Sequence, residues 1–94
     1  MLINWKVFLA PKAKKQYWRV PETVRTALDT LVGEIEVYGP IRGNRKNYGK
    51  LGDDKHHCHL RSGRPTYVAC WEMVNKSQRI VEVYYVGTHE KAPY

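Results

Sequence analysis

His56, His57, Cys58 and His59 stand in a run, with Arg61 and Arg64 just after them and His89 and Tyr94 near the end of the chain. Imidazole and thiolate are zinc ligands, yet the spacing weighs against a metal. On a strand His57 and His59 share a side while Cys58 points away, and no second cluster supplies the remaining ligands. The sequence therefore carries no expectation of a metal or cofactor. Proton transfer fits the pattern better: His57, His59 and Arg61 alternate along one face, and an imidazole with an unperturbed pKa of roughly 6.5 can take or give a proton near neutral pH.

RNA can be cut without a metal when its 2′-hydroxyl attacks the adjacent phosphorus. That reaction needs a base for the hydroxyl, cations for the extra phosphate charge and an acid for the leaving 5′-oxygen. His57, His59, His89, Arg61, Arg64, Lys50 and Tyr94 are the candidates for those tasks. Tyr67 and Trp71 could stack on unpaired bases, although aromatic residues on strands more often belong to a core. Upstream, Arg42, Arg45, Lys46, Lys50 and Lys55 lie among Gly43, Gly49 and Gly52. A long basic connection of this kind is either a solvated loop or a grip for an anionic partner.

The elements that must position these groups follow from periodicity. Leu2 to Leu9 alternate, with Ile3, Trp5, Val7 and Leu9 on one side, as in a half-buried strand. Pro11 opens a helix that can run to about Arg19, with Ala13, Tyr17 and Val20 inward. Pro21 ends it and opens a second helix. That second helix, to about Val37, carries Val24, Ala27, Leu28, Leu31, Val32 and Ile35 on one stripe, and Gly39-Pro40 stops it. Leu51 is a single apolar pin in the basic loop.

Three strands then read as an antiparallel meander: His56 to Arg61, Pro65 to Val74 and Arg79 to Val86, joined by short turns. Strict alternation puts Thr66, Val68, Cys70, Glu72 and Val74 opposite Tyr67, Ala69, Trp71 and Met73. It likewise puts Val81, Val83 and Tyr85 opposite Ile80, Glu82, Tyr84 and Val86. Periodicity does not say which set faces the helices. The fold class is α+β: an N-terminal strand, two helices and a three-stranded meander, in one sheet with helices on one face.

The 94 residues suit one domain, 1–94, around one core. Hydrophobic residues at 43% and aromatic residues at 12% are those of a folded chain. Sixteen Lys and Arg against 9 acidic residues give +7, which suits a polyanion or an acidic protein. Two cysteines are too few for a disulfide framework and fit a reducing cytoplasm. No run of about 18 apolar residues is present, so no membrane partner is expected.

The order of strand, two helices, basic loop ending in Lys50-Leu51-Gly52, then His59-Leu60-Arg61-Ser62-Gly63-Arg64-Pro65 and Val86-Gly87-Thr88-His89-Glu90-Lys91 resembles the RelE superfamily of bacterial toxins. Within it, Cys58-His59-Leu60 and Gly87-Thr88-His89 are similar to motifs of the histidine-using HigB and YafQ branch. The resemblance implies a cytoplasmic toxin neutralised by a cognate antitoxin, cutting messenger RNA in the ribosomal A site without a cofactor. It implies catalytic roles for His59 and His89 and sets His57 and His59 at the places of two RelE strand lysines. Arg64 or Thr66 falls at the phosphate-binding arginine, and Tyr94 near a C-terminal catalytic tyrosine. On this reading His57 or His59 is the base, Arg61 and Arg64 hold the phosphate, and Arg42, Arg45, Lys46 and Lys50 grip ribosomal RNA. The alternative is the ParE branch of the same fold, which binds DNA gyrase and catalyses nothing.

Overall fold

A computed structural model describes residues 4–94; Leu2 and Ile3 of the expected first strand lie outside the described residues. That strand, β1, is Lys6–Leu9, followed by helices α1 (Pro11–Tyr17) and α2 (Glu22–Tyr38). A two-residue strand β2 (Gly49–Lys50) comes next, then β3 (Lys55–Arg61), β4 (Tyr67–Asn75), β5 (Ile80–Thr88) and a 3₁₀ turn over His89–Lys91. The strands form one mixed sheet in the order β1-β5-β4-β3-β2. β1 runs parallel to β5 and the other pairings are antiparallel. Helices α1 and α2 carry the chain from β1 at one edge of the sheet to β2 at the other, and the meander then returns to place β5 beside β1.

Helix α1 is shorter than its basic pattern suggests. Pro21 disfavours helical geometry at Val20, and the chain closes with Arg19 and Val20 amides both donating to the Gln16 carbonyl. Helix α2 buries Val24, Leu28, Leu31 and Ile35 completely. Each such side chain contributes roughly 1.5–3 kcal/mol of burial. Ala27 and Val32 lie on the margins of that stripe. The stripe packs with Cys58, Ala69, Trp71, Val81, Val83 and Val86 of the sheet. A smaller cluster of Val68, Cys70 and Tyr85 lies on the opposite face, where Leu51, Tyr84 and Ala92 pack against it.

The sheet departs from the expected pattern in strand count and in register. The sheet has five strands rather than four, because Gly49 and Lys50 in the basic loop pair with His57 and His56. The register of β4 against β5 slips between Cys70↔Tyr85 and Trp71↔Val83, so Tyr84 is the extra residue. A bulge of this kind reverses the phase of the strand. Tyr85 therefore leaves the side of Val81 and Val83, while Val86 joins it. Further slips lie between Met73 and Asn75 and between His59 and Arg61, and the last bears directly on the site.

Candidate functional site

Strand β3 divides its histidines between the two faces of the sheet. His56 is 2% exposed and faces α2. Its ring stacks between Tyr48 (centroids 5.8 Å apart) and Trp71 (5.8 Å), and its Nδ1 lies 2.7 Å from the Tyr48 hydroxyl. Burial first, then the Lys50 charge, holds its pKa below the ordinary value, against the opposing pull of Asp54. Cys58 lies on the same side, and burial pushes its thiol up to about 12. The Cys70 thiol is likewise pushed up to about 12 by burial. Among the described residues no three His, Cys, Asp or Glu side chains are grouped to hold a metal ion.

His57 and His59 face the open side, where the 3₁₀ turn and tail meet them. His59 and His89 stand 5.6 Å apart in an edge-to-face arrangement. Tyr94 lies 5.9 Å from His89 and 4.6 Å from His57. The four rings thus run in sequence from His59 through His89 and Tyr94 to His57. The His89 amide donates to the Thr66 carbonyl at 2.8 Å, which fixes the turn to the start of β4. The Tyr85 hydroxyl donates to the Thr88 carbonyl at 2.7 Å. It crosses Gly87 to do so, where a Cβ would lie 2.7 Å from that oxygen.

His59 and His89 line a cleft of about 670 Å³ with Arg64, Thr66, Thr88 and Glu90. Arg64 is exposed in the β3–β4 connection, whose turn is closed by the Thr66 hydroxyl donating to the Gly63 carbonyl at 2.8 Å. His59 is also a wall of a smaller cleft of about 220 Å³ lined by Arg45, Lys46, Leu60, Arg61 and Ser62. Its amide donates to the Lys46 carbonyl at 3.0 Å, which brings the basic loop against β3. Burial, then the His89 and Lys46 charges, hold the His59 pKa below the ordinary value.

His57 is less accessible than His59. Its Nδ1 is buried without a hydrogen-bond partner, and Gly49 comes so close that a Cβ there would lie 2.8 Å from Nε2. Burial, then His59 and His89, lower its pKa. Tyr94 is shifted the other way: burial above all, with smaller contributions from Cys70, Tyr85 and Cys58, raises its phenol pKa.

Several expected site residues lie elsewhere. Arg61 does not continue the face of His57 and His59. The bulge at Leu60 sets Arg61 opposite Tyr67, over whose ring it lies at 5.4 Å, and it donates to the Thr23 hydroxyl of α2 at 3.0 Å. Trp71 cannot stack on a base, being fully buried with its indole N–H donating to the Pro40 carbonyl at 2.9 Å. Tyr67 is half-buried against the helix-side core.

Arg42 and Arg45 both converge on Glu34. Arg45 makes contacts of 3.2 and 2.7 Å, and Arg42 approaches to 3.5 Å while donating to the Gly39 carbonyl at 3.1 Å. Burial would raise the Glu34 carboxyl, but Arg45, Asn44 and Arg42 outweigh it and hold its pKa low. Lys46 and Lys50 remain exposed. Thr88 and Glu90 were not singled out from the sequence. Glu90 had one available signal, its adjacency to His89 in the stretch that carries the resemblance.

No protein-family model matches the chain, and no curated protein sequence matches it. Solved structures do. A double arginine-to-alanine mutant of the E. coli toxin RelE in the free state is 23% identical over 94% of this chain and 86% of its own, with a TM-score of 0.70. The isolated E. coli RelE toxin is 21% identical over 95% and 88%, with a TM-score of 0.67. RelE from the archaeal RelE–RelB complex of Pyrococcus horikoshii OT3 is 12% identical over 96% and 100%, with a TM-score of 0.63. From β1 to the C-terminal turn, this chain has the fold of the RelE toxins.

Proposed function

We propose that this protein is the toxin of a toxin–antitoxin pair and an endoribonuclease that cuts messenger RNA in the ribosomal A site. The observation that carries the reading is the placement of His59 and His89, 5.6 Å apart, in a cleft that Arg64 also lines. A neighbour of the same fold in a RelE–RelB complex supports an antitoxin as partner. Histidines at these two places accord with the HigB and YafQ branch.

In the proposed reaction the neutral His59 imidazole accepts the proton of a ribose 2′-hydroxyl. The 2′-oxygen bonds to the adjacent phosphorus as the bond from phosphorus to the 5′-oxygen breaks. His89 or Tyr94 supplies a proton to that leaving oxygen, and Arg64 faces the charge that accumulates on the phosphoryl oxygens. The products are a 2′,3′-cyclic phosphate and a 5′-hydroxyl. A lowered pKa leaves His59 in its basic form at neutral pH, and a raised one keeps Tyr94 protonated. His59 is the better base of the two strand histidines, because His57 is packed beneath Gly49 and Tyr94.

Purified protein added to ribosomes programmed with mRNA is expected to give A-site cleavage with cyclic-phosphate ends. Intact mRNA, together with inhibition of supercoiling by purified gyrase, would establish the ParE-like alternative instead.

A further inference from the structure

We propose that the groove between α1 and the end of β5 is a second RNA subsite, holding backbone phosphates of the strand that passes through the histidine cleft. This inference rests on the endoribonuclease reading. The groove, about 520 Å³, is lined by Lys12, Arg19 and Lys91 together with Gln16, Tyr67 and Glu90. Its floor is closed, because the Gln16 side-chain oxygen accepts the Val86 amide at 3.0 Å and ties α1 to β5. Tyr67, one face of which is covered by Arg61, contributes to the wall.

The groove cations differ from the arginines of the basic loop. Both ion pairs among the described residues involve Glu34, with Arg42 and Arg45 as its partners. Lys12, Arg19 and Lys91 make no ion pair among the described residues, and all three are exposed. Three such cations against the single carboxylate of Glu90 leave the concavity net positive, which suits a polyanion. Their spread along a groove fits successive phosphates of a single strand.

Position identifies the strand. Thr88 and Glu90 line both this groove and the histidine cleft, so the two concavities adjoin across the end of β5. A carboxylate at that junction repels phosphate but accepts a hydrogen bond from a ribose 2′-hydroxyl, a group specific to RNA. Nucleotides flanking the cut therefore place a sugar at Glu90 and phosphates against Lys12, Arg19 and Lys91.

The test is binding of a short fluorescent single-stranded RNA to the full chain across a salt series. The comparison is between wild type, the triple variant Lys12→Ala, Arg19→Ala, Lys91→Ala, and a Lys14→Ala, Lys15→Ala control on exposed positions of α1 outside the groove. The triple variant is expected to bind at least about tenfold more weakly. The slope of log affinity against log salt should fall by about 2, at about 0.7 per phosphate contact. The control should retain wild-type affinity. Equal losses in the triple variant and the control would overturn the subsite, as would competition by a glutamate-rich peptide as effective as that by unlabelled RNA.

Ribosome cleavage by the same proteins separates the two claims. Cutting by wild type with unaltered RNA affinity in the triple variant would reject the subsite and leave the activity standing. Groove-dependent RNA binding without cutting by wild type would do the reverse.

Discussion

The two faces of the sheet place the same residue types in opposite settings. On the helix side His56 and Trp71 are buried, stacked on one another, and bonded to Tyr48 and Pro40. On the open side His59 and His89 face each other across a cleft, with the Tyr94 ring close to His89. An imidazole stacked in a core gains packing but has no room for a substrate. One at a cleft gives up packing and keeps a nitrogen free for proton transfer. Adjacent positions on a strand are enough to make the difference, since His56 and His57 point to opposite faces.

Two perturbations sharpen that contrast on the helix side. Trp71→Ala should produce the largest stability change, about 3–5 kcal/mol, from the lost ring and the cavity it leaves; urea unfolding measures it. A loss within the range of an exposed substitution would mean that Trp71 is not the core residue described here.

The second concerns acid. His56, His57 and His59 all have folded pKa values below the unfolded value of roughly 6.5. Well above that pH each is neutral in both states, and its ionisation adds nothing to the pH dependence of stability. As pH falls below roughly 6.5 the unfolded chain takes up protons first, so stability declines until the folded pKa values are passed. The paired change His56→Phe, Tyr48→Phe removes one proton from this linkage and takes out both partners of the 2.7 Å contact together. Unfolding midpoints measured from neutral to mildly acidic pH should therefore fall less steeply in the double variant. An unchanged slope would show that His56 does not contribute.

Much of the architecture was legible in the residues. Pro11, Pro21 and Gly39-Pro40 mark the helix limits to within a few positions, and the stripe from Val24 to Ile35 lies along the buried face. The meander was legible because its strands are joined by short turns. The phase of its strands was less so. Bulges at Leu60 and Tyr84 break the period of two on which alternation rests, and each shifts the residues beyond it: Arg61 turns to Thr23, and Tyr85 crosses to the open face. Strand β2 consists of Gly49 and Lys50, too short for any periodicity, and exists because β3 offers an edge.

Charge was visible in the sequence, but its pairing was not. Arg42 and Arg45 read as free cations because Glu34 is on a different element, brought close only when the loop folds back on α2. Lys12, Arg19 and Lys91 became a group only through the packing of α1 on β5. The juxtaposition of His59 with His89 likewise depends on the pairing of β3, β4 and β5, which brings residues thirty positions apart in the chain to one cleft.

The central claim, that His59 and His89 act together on one phosphate, is tested most directly by a double-mutant cycle. Single-turnover cleavage of ribosome-bound mRNA would be measured for wild type, His59→Ala, His89→Ala and the double variant. Each single change is expected to slow cutting by about 10²–10⁴-fold. The double variant should be little slower than the worse single one, as for residues that work as a unit. Independent, multiplying losses, or wild-type cutting by His89→Ala, would contradict the claim.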